Sequence, residues 1–197
     1  MLTAFKLKNF KSFQAEAVLP LEGALTVLIG ANAAGKSNAL EALRLLSWLA
    51  QGNKLSAIQH EVNRADKVVR GRVPDLFREG ETLFALGCQV TTPTDPTGQP
   101  DPTSTSNLSM TLELRADDLH IVAERIDLGM GVGVPLYDMD QPSQGDKGTE
   151  AGVAYNNFSK GGNKPHIKVT DQMAVFAQLD SPASFHANHR KAQQTIP

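Results

Sequence analysis

The sequence predicts an α/β fold, and three features near the N-terminus support this prediction. Residues 3–8 alternate between apolar and polar side chains, which is typical of a strand with one buried face. Residues 26–29 (TVLI) form a short apolar run that ends at Gly30, which indicates a strand buried on both faces. Residues 38–50 then change to the helical period. We therefore expect an N-terminal lobe with a mixed sheet and a helix packed on it.

The helix predicted over residues 38–50 is expected to be largely buried. Apolar side chains cover most of its circumference, and the polar side chains form only a narrow stripe: Glu41, Arg44 and Ser47. The sequence Gln51-Gly52-Asn53 is a stop signal for this helix. Residues 54–70 are mixed in composition and are expected to contain a further helical stretch.

Three more strands are predicted in the middle of the chain, over residues 83–90, 108–115 and 119–128. Leucine and methionine alternate with polar residues most clearly in the second of them. The link between the second and third strands is the polar turn Ala116-Asp117-Asp118, which is too short for a crossover. These strands should therefore be antiparallel and form a β-subdomain.

Two stretches have the composition of loops. Residues 91–107 are rich in Pro, Thr and Ser and are expected to form a long exposed excursion between strands. Residues 129–165 are rich in Gly and polar residues and have little periodicity. A structureless loop of that length is unusual in a compact domain, so part of this stretch should be mobile or form a small hairpin.

The composition excludes several classes of protein. The chain has 197 residues, 41% of them hydrophobic and 20% charged, which is typical of a globular domain. The net charge of −2 predicts no general basic face, although a local basic cluster remains open. Cys88 is the only cysteine, which excludes a disulfide framework and a cysteine-based zinc site. With neither a signal-peptide pattern nor a long apolar span, a cytoplasmic location without membrane contact is expected.

One motif carries specific chemistry, the pattern G-x-x-x-x-G-K-[ST] between the apolar run and the predicted helix. Backbone N–H groups of such a loop surround phosphate oxygens, and the start of the following helix adds its dipole. The predicted ligand-binding residues are Gly30, Ala31, Asn32, Ala33, Ala34, Gly35, Lys36 and Ser37. The motif predicts a bound nucleoside triphosphate with Mg²⁺.

Four residues of the loop have particular roles in this prediction. A side chain at Gly30 or Gly35 would clash, or the position needs a positive φ. Lys36 should reach the β- and γ-phosphates as the catalytic cation, and the Ser37 hydroxyl should be a ligand of Mg²⁺. The guanine-reading pattern N-K-x-D is absent from the sequence, so ATP is favoured over GTP.

Residues 5–13 (FKLKNFKSF) and residues 25–38 (LTVLIGANAAGKSN) resemble the ABC-type ATPase heads. Among these heads the chain is most similar to the SMC, RecF and OLD-like branch of AAA family ATPases. The resemblance is close over residues 1–52 and looser over residues 75–128, which match the antiparallel β-subdomain beside the nucleotide. It implies that residues 1–197 are the N-terminal part of a single P-loop ATPase head, with the β-subdomain over 75–130.

The resemblance also implies further contacts with the nucleotide. The turn containing Lys11 and Ser12 would lie beside the nucleotide and touch its phosphates or base. Asn32 and Asn38 match family positions within and just after the loop. Other interpretations remain open: a solvated lysine and a serine at a strand end, and an Asn38 that bonds a neighbouring backbone group.

The resemblance implies partners and a biological role as well. Two heads would sandwich two nucleotides in a homodimer or higher oligomer, and hydrolysis would drive opening or activate an effector protein. Members of this branch act in DNA repair or anti-phage defence. A basic stretch in residues 64–78 is a candidate DNA contact, with a solvated protein face as the alternative.

The second half of such a head is not found in the sequence. A Walker B strand ending in Asp-Glu and an S-x-G signature are both missing. Residues 158–162 only superficially match the signature, and residues 175–180 are interrupted as a Walker B strand by Gln178. Gln172 or Gln178 is a weaker candidate for a sensor of Mg²⁺ and γ-phosphate. The chain is therefore interpreted as a piece of a longer ATPase, inactive by itself.

Two other functions compete with an ATPase head. A non-catalytic module could bind ATP only to order a partner interface. A small-molecule kinase would need a compact parallel sheet, which the antiparallel strands disfavour. The pair His186 and His189 lacks a third metal ligand at a suitable spacing, so surface histidines are expected there.

Overall fold

The structure, a computed structural model, describes residues 1–21, 23–58, 68–91, 105–128, 135–156 and 164–179. In these ranges the strands are β1 (Leu2–Lys8), β2 (Ala17–Pro20), β3 (Leu83–Thr91), β4 (Thr105–Arg115), β5 (Asp118–Leu128), β6 (Tyr137–Gln141), β7 (Glu150–Tyr155) and β8 (His166–Thr170). The helices are α1 (Lys36–Ala50) and α2 (Val175–Gln178), with single 3₁₀ turns at Leu55–Ala57 and Val73–Leu76.

The described strands form an eight-stranded sheet in the order β2-β1-β3-β4-β5-β6-β7-β8. Every neighbouring pair in this sheet is antiparallel. Strand β1 lies between β2 and β3, so the N-terminal segment is part of the same sheet as the strands in the middle of the chain.

The strands predicted over residues 83–90, 108–115 and 119–128 are confirmed as parts of β3, β4 and β5. Their antiparallel pairing is confirmed too. At the turn between β4 and β5, Ala116 has a φ of 45° and Asp117 a φ of 72°. Two left-handed residues in succession produce the twist that a tight hairpin needs, and Asp tolerates this conformation better than most residues.

The stretch 129–165 contains β6 and β7, which pair as an antiparallel hairpin. Of the two outcomes expected there, the hairpin is therefore present within the described part of the stretch. Most of the excursion predicted over residues 91–107 lies outside the described residues. Within residues 54–70, the described part holds the 3₁₀ turn Leu55–Ala57.

Helix α1 packs one face into a hydrophobic core on one side of the sheet. Leu45 and Leu49 are fully buried in the same cluster as Phe5 of β1 and Leu86 of β3. The helix ends before Gly52, whose φ of 78° is easy only for glycine and fits the predicted stop. No helix in the described part of the chain is long and apolar enough to cross a membrane.

Two expectations for α1 are wrong. Glu41, expected in an exposed polar stripe, is buried, because two cationic side chains reach it. Leu40, expected in the buried surface, is 49% exposed, since its position on the helix faces away from the sheet and core. The buried face is therefore narrower than the sequence pattern predicts, and it includes a charge.

The strand predicted over residues 26–29 is also wrong for the described structure. These residues belong to no strand, and Val27 and Ile29 are 65% and 91% exposed. No described strand pairs with them, so within the described residues their backbone is in no hydrogen-bonded ladder. The mixed sheet that this strand would have created is replaced, in the described residues, by an antiparallel one.

At the other end of the chain, residues 175–178 form α2 rather than a strand, which argues against a Walker B strand there. The buried Glu124 of β5 accepts hydrogen bonds from the backbone N–H groups of Val175 and Phe176 at the start of α2. The hydroxyl of Tyr137 donates to the same carboxylate. Burial raises the pKa of Glu124 from 4.5 to about 7, although these hydrogen bonds act in the opposite direction.

The two glutamines considered as sensors are both used by the local backbone. Gln172 Nε2 donates to the carbonyl oxygen of Leu119 at 3.0 Å. Gln178 accepts from the N–H of Thr170 and donates to its carbonyl oxygen at 2.7 Å. These bonds fix the last described residues to the sheet, and they give both side chains a structural role.

Candidate phosphate-binding site

The predicted loop leads directly into α1, and the start of this helix is open. Gly35 is the N-cap residue, with a φ of 88°. No side chain caps the helix, and its first turn contains no acidic residue. The first N–H groups of α1 therefore keep their hydrogen-bonding capacity and positive partial charge for an anion.

Gly35 is crowded by the turn that follows β1. A Cβ atom at this position would lie 2.9 Å from Ser12 Oγ and 3.2 Å from the ring of Phe13. Gly30 is different, since a Cβ there would meet only Ala34 Cβ, at an ordinary 3.5 Å. Protein contacts and backbone conformation thus require glycine at Gly35, whereas they place no such requirement on Gly30.

Lys36 lies across the loop that precedes it. Its ammonium group donates hydrogen bonds to the carbonyl oxygens of Gly30 and Ala31, each at 2.7 Å. Ala33 has a φ of 64°, a left-handed conformation that non-glycine residues rarely adopt. The loop is therefore held in a specific curved shape, with a positive charge at its centre.

The remaining residues of the predicted loop are at the surface. Ala31, Asn32, Ala33, Ala34 and Ser37 are all exposed, and Ser37 carries the hydroxyl of the first helical turn. The backbone of residues 31–34 and the Ser37 hydroxyl can thus be reached by a ligand from solvent. The site is a surface loop with an open helix start and is not a closed cavity.

The turn after β1 lies against the start of α1, and the contact of Lys11 and Ser12 with a nucleotide, which the resemblance implies, stays a prediction. Asn38 Nδ2 donates to Ser12 Oγ at 2.9 Å, which joins the first turn of α1 to this turn. Asn38 thus bonds a side chain, where the alternative interpretation had expected a backbone group. The ammonium of Lys11 points to Glu41 and to the carbonyl oxygen of Arg70, at 2.8 Å from the latter.

Sequence reasoning missed two residues beside the loop. Glu41 accepts hydrogen bonds from Lys11 and from both the backbone N–H and Nε of Arg70. Arg70 Nη2 in turn donates to Asn38 Oδ1 at 3.0 Å. The sequence pattern placed Glu41 in the polar stripe of the helix, so it gave no signal that this side chain is buried. Arg70 was part of the basic stretch in residues 64–78, and nothing in the sequence distinguished it from the other basic residues there.

A second polar cluster joins β5 to the segments that follow β6 and β8. The buried Asp171 accepts from His120 Nδ1 at 2.8 Å and from the hydroxyl of Ser143. Arg115 Nη1 also donates to Ser143 Oγ, at 3.0 Å. Because the serine donates to the aspartate and not to the histidine, the histidine cannot act as its base. This cluster is a structural tie between β5 and the loops around β7 and β8.

Metal-ligating side chains are sparse. Among the described residues, no group of three or more His, Cys, Asp or Glu side chains could hold a metal ion. His186, His189 and the signature-like residues 158–162 lie outside the described residues. The Ser37 hydroxyl remains the predicted metal ligand.

Comparison with known proteins finds a match to a family model in the N-terminal region. Residues 1–95 match the family model of an AAA ATPase domain. No curated protein matches the chain. Among solved structures, the chain is similar to one from work on the structural biochemistry of ATP-driven dimerization and DNA-stimulated activation of SMC ATPases. The two share 16% sequence identity and a TM-score of 0.40, over 66% of this chain and 72% of the other.

Proposed function

We propose, from the match of residues 1–95 to the family model of an AAA ATPase domain, that this chain binds ATP with Mg²⁺ on residues 30–37. The observation that carries the proposal is the open start of α1 behind Gly35, with the ammonium of Lys36 lying over the loop. Backbone N–H groups and one cation around a curved loop are the groups that bind a polyphosphate.

The side chains present fit a triphosphate. Lys36 now donates to two neutral carbonyl oxygens, and phosphate oxygens are stronger acceptors because they are charged. Its ammonium is therefore expected to move to the β- and γ-phosphates. The missing side chain at Gly35 lets the turn that contains Ser12 and Phe13 pack closely against the start of α1.

The metal part of the proposal rests on Ser37. Mg²⁺ prefers oxygen ligands and commonly keeps water and phosphate oxygens in its coordination shell. The accessible hydroxyl of Ser37, at the second position of α1, fits as the protein ligand. The ion would neutralise phosphate charge at the helix start, while Lys11, Ser12 and Asn38 support the neighbouring turn.

Hydrolysis of the bound ATP is the more specific part of the proposal. In the complete head, two copies would enclose the nucleotides, and a glutamate elsewhere would orient the attacking water. The family resemblance supports such a dimeric ATPase, acting as a switch in DNA repair or anti-phage defence with DNA or an effector protein as partner. Lys36 would then stabilise the transferred phosphoryl group.

A second candidate function is favoured by α2. Residues 175–178 are helical, so they do not form the strand that would precede the carboxylates that hydrolysis needs. In this alternative the chain binds ATP without cleaving it, and binding orders an interface for a partner.

The binding proposal is tested by calorimetric titration with ATP and GTP, with and without Mg²⁺. We expect ATP with Mg²⁺ to bind best. Lys36→Ala should weaken ATP binding by roughly 100-fold, since it removes a charged hydrogen-bond donor from the phosphates. Lys8→Ala is the control, because Lys8 is exposed at the end of β1. Unchanged ATP affinity in the Lys36→Ala variant would refute the site.

Turnover separates the ATPase from the binding module. We expect negligible phosphate release by the 197-residue chain, because a catalytic carboxylate is missing from the recognisable motifs. Phosphate release is measured with excess ATP and Mg²⁺, with Lys36→Ala as the background. Rapid turnover that the variant loses would show that this chain contains its own catalytic base.

A further inference from the structure

Three segments of the chain meet at the carboxylate of Glu41. Its Oε1 accepts from the ammonium of Lys11 and from the backbone N–H of Arg70. Its Oε2 accepts from Arg70 Nε at 3.0 Å. Glu41 is 4% exposed and lies on α1, so the turn after β1 and the segment 68–72 are both tied to the phosphate-loop helix.

The same side chains continue to the loop. Arg70 Nη2 donates to Asn38 Oδ1 at 3.0 Å, and Asn38 Nδ2 donates to Ser12 Oγ at 2.9 Å. Ser12 Oγ fills the space beside Gly35. The contacts form a closed ring, which we call the Glu41 ring: Lys11, Ser12, Asn38, Glu41 and Arg70.

The charges of the ring make Glu41 its central member. Lys11 and Arg70 are both cationic, and without the carboxylate between them they would repel each other at close range. The side chain of Arg70 is 59% exposed, so packing does little to hold it. The hydrogen bonds to Glu41 and Asn38 fix its guanidinium. The backbone of residue 70 is held by Glu41 through its N–H and by Lys11 through its carbonyl oxygen.

Other contacts hold the same region independently of Glu41. The N–H of Lys11 donates to the carbonyl oxygen of Leu76, and the N–H of Arg78 donates to that of Asn9, both at 3.0 Å. Phe10 and Phe77 form a bridge between these segments. Loss of the carboxylate charge should therefore loosen the ring and leave the fold in place.

We propose that Glu41 is a positioning residue of the nucleotide site, which sets the place of Ser12 and Gly35 through Arg70 and Asn38 and couples the loop to segment 68–72. This inference rests on the proposed function. Glu41 is 4% exposed and bonded to Lys11 and Arg70, so it acts through these residues and not by contact with the ligand. It reduces the ordering that the loop must undergo on binding, and the coupling is reciprocal, so a bound nucleotide also orders residues 68–72.

The test compares Glu41→Gln with Glu79→Gln, which removes the same charge from an exposed position. Calorimetry should show ATP and ADP binding weakened by a similar factor, roughly 5- to 20-fold, in Glu41→Gln only. Hydrogen exchange should show that ATP protects residues 68–72 in the unaltered chain and in Glu79→Gln. This protection should be lost in Glu41→Gln, while Glu41→Asp restores part of it.

A merely structural role would give a different pattern. If Glu41 only stabilised the fold, hydrogen exchange in Glu41→Gln would rise throughout the chain, and ATP would still protect residues 68–72. That result would overturn the inference. Arg70→Ala provides a second route if Glu41→Gln does not fold. Where both fold, the double variant should be no weaker in binding than the worse single variant, because Glu41 acts through Arg70. Additive losses would overturn the coupling.

The two levels of the proposal fail in different ways. If the unaltered chain does not bind ATP, the proposed function fails and the inference fails with it. If the unaltered chain binds ATP and Glu41→Gln binds it equally well with the same protection, only the role of Glu41 is refuted.

Discussion

Two separate demands meet at Gly35. Its φ of 88° lies in the left-handed region, where a side chain is strained. Its missing side chain also leaves the space that Ser12 Oγ and the Phe13 ring occupy. A glycine in a loop often meets one of these demands alone, and here the two together fix how closely the turn after β1 approaches the start of α1.

We expect Gly35→Ala to destabilise the chain more than Gly80→Ala. Gly80 has a φ of 84°, but a Cβ atom there would meet nothing within 4 Å, so its substitution introduces only backbone strain. Backbone strain costs about 1 kcal/mol or more, and the contact with Ser12 and Phe13 should add roughly another 1–2 kcal/mol at Gly35. Urea unfolding of both variants measures the difference. Equal losses would mean that the turn moves freely away from Gly35.

At the scale of elements, the short helix α2 depends on a carboxyl group from another element. Glu124 of β5 bonds the first N–H groups of α2, and Tyr137 of β6 bonds Glu124. A helix of this length has almost no stability of its own. Its position is therefore set by the bonds of Gln178 to Thr170 and by a buried acid whose pKa is raised to about 7 by burial.

This pKa predicts how stability changes with pH. The folded chain holds its Glu124 proton up to about pH 7, whereas the unfolded chain loses it near 4.5. Between these values the folded state binds more protons, so the free energy of unfolding should fall as pH rises and level off above pH 7. Burial of the charged form of Glu124 costs on the order of a few kcal/mol of folding free energy.

Glu124→Gln should remove this part of the pH dependence, since glutamine does not titrate. Urea unfolding at about pH 5 and about pH 8 gives the comparison, with the exposed Glu79→Gln as the matched control. If Glu124→Gln keeps the same slope as the unaltered chain, another group causes the pH dependence.

Considered as a whole, the described part of the molecule is an antiparallel sheet with a hydrophobic core against α1. Leu45 and Leu49 of the helix belong to the same cluster as Val153 of β7 and Val169 of β8. The N-terminal segment, the helix and the last strands are thus joined through one core. Stability lost there should affect the phosphate loop, because α1 carries it.

Leu45→Ala should lower the free energy of unfolding by about 2–5 kcal/mol, as expected for truncation of a fully buried leucine. Leu40→Ala is the control on the same helix. Leu40 is 49% exposed, and its truncation should cost less than about 1 kcal/mol. Both substitutions change helix propensity equally, so chemical unfolding isolates the effect of burial. Similar losses for the two would contradict the placement of α1.

The sequence predicted those parts of the fold that local pattern determines. Strands β3 to β5 and α1 have strong periodicity, and the phosphate loop has a motif whose spacing follows from its chemistry. The exposed state of residues 26–29 could not be predicted, because it depends on which strands lie beside them. The Glu41 ring could not be predicted from the sequence either, since Glu41 and Arg70 are 29 residues apart and only tertiary packing brings them together.

The exposed run 25–29 has a consequence for the behaviour of the chain in solution. Leu25, Val27 and Ile29 are 81%, 65% and 91% exposed, and no described strand pairs with their backbone. Such a row is a template for the extended backbone of another molecule. Pairing of molecules through this run should therefore limit the concentration at which the chain stays in solution, and turbidity should increase as the protein concentration is raised.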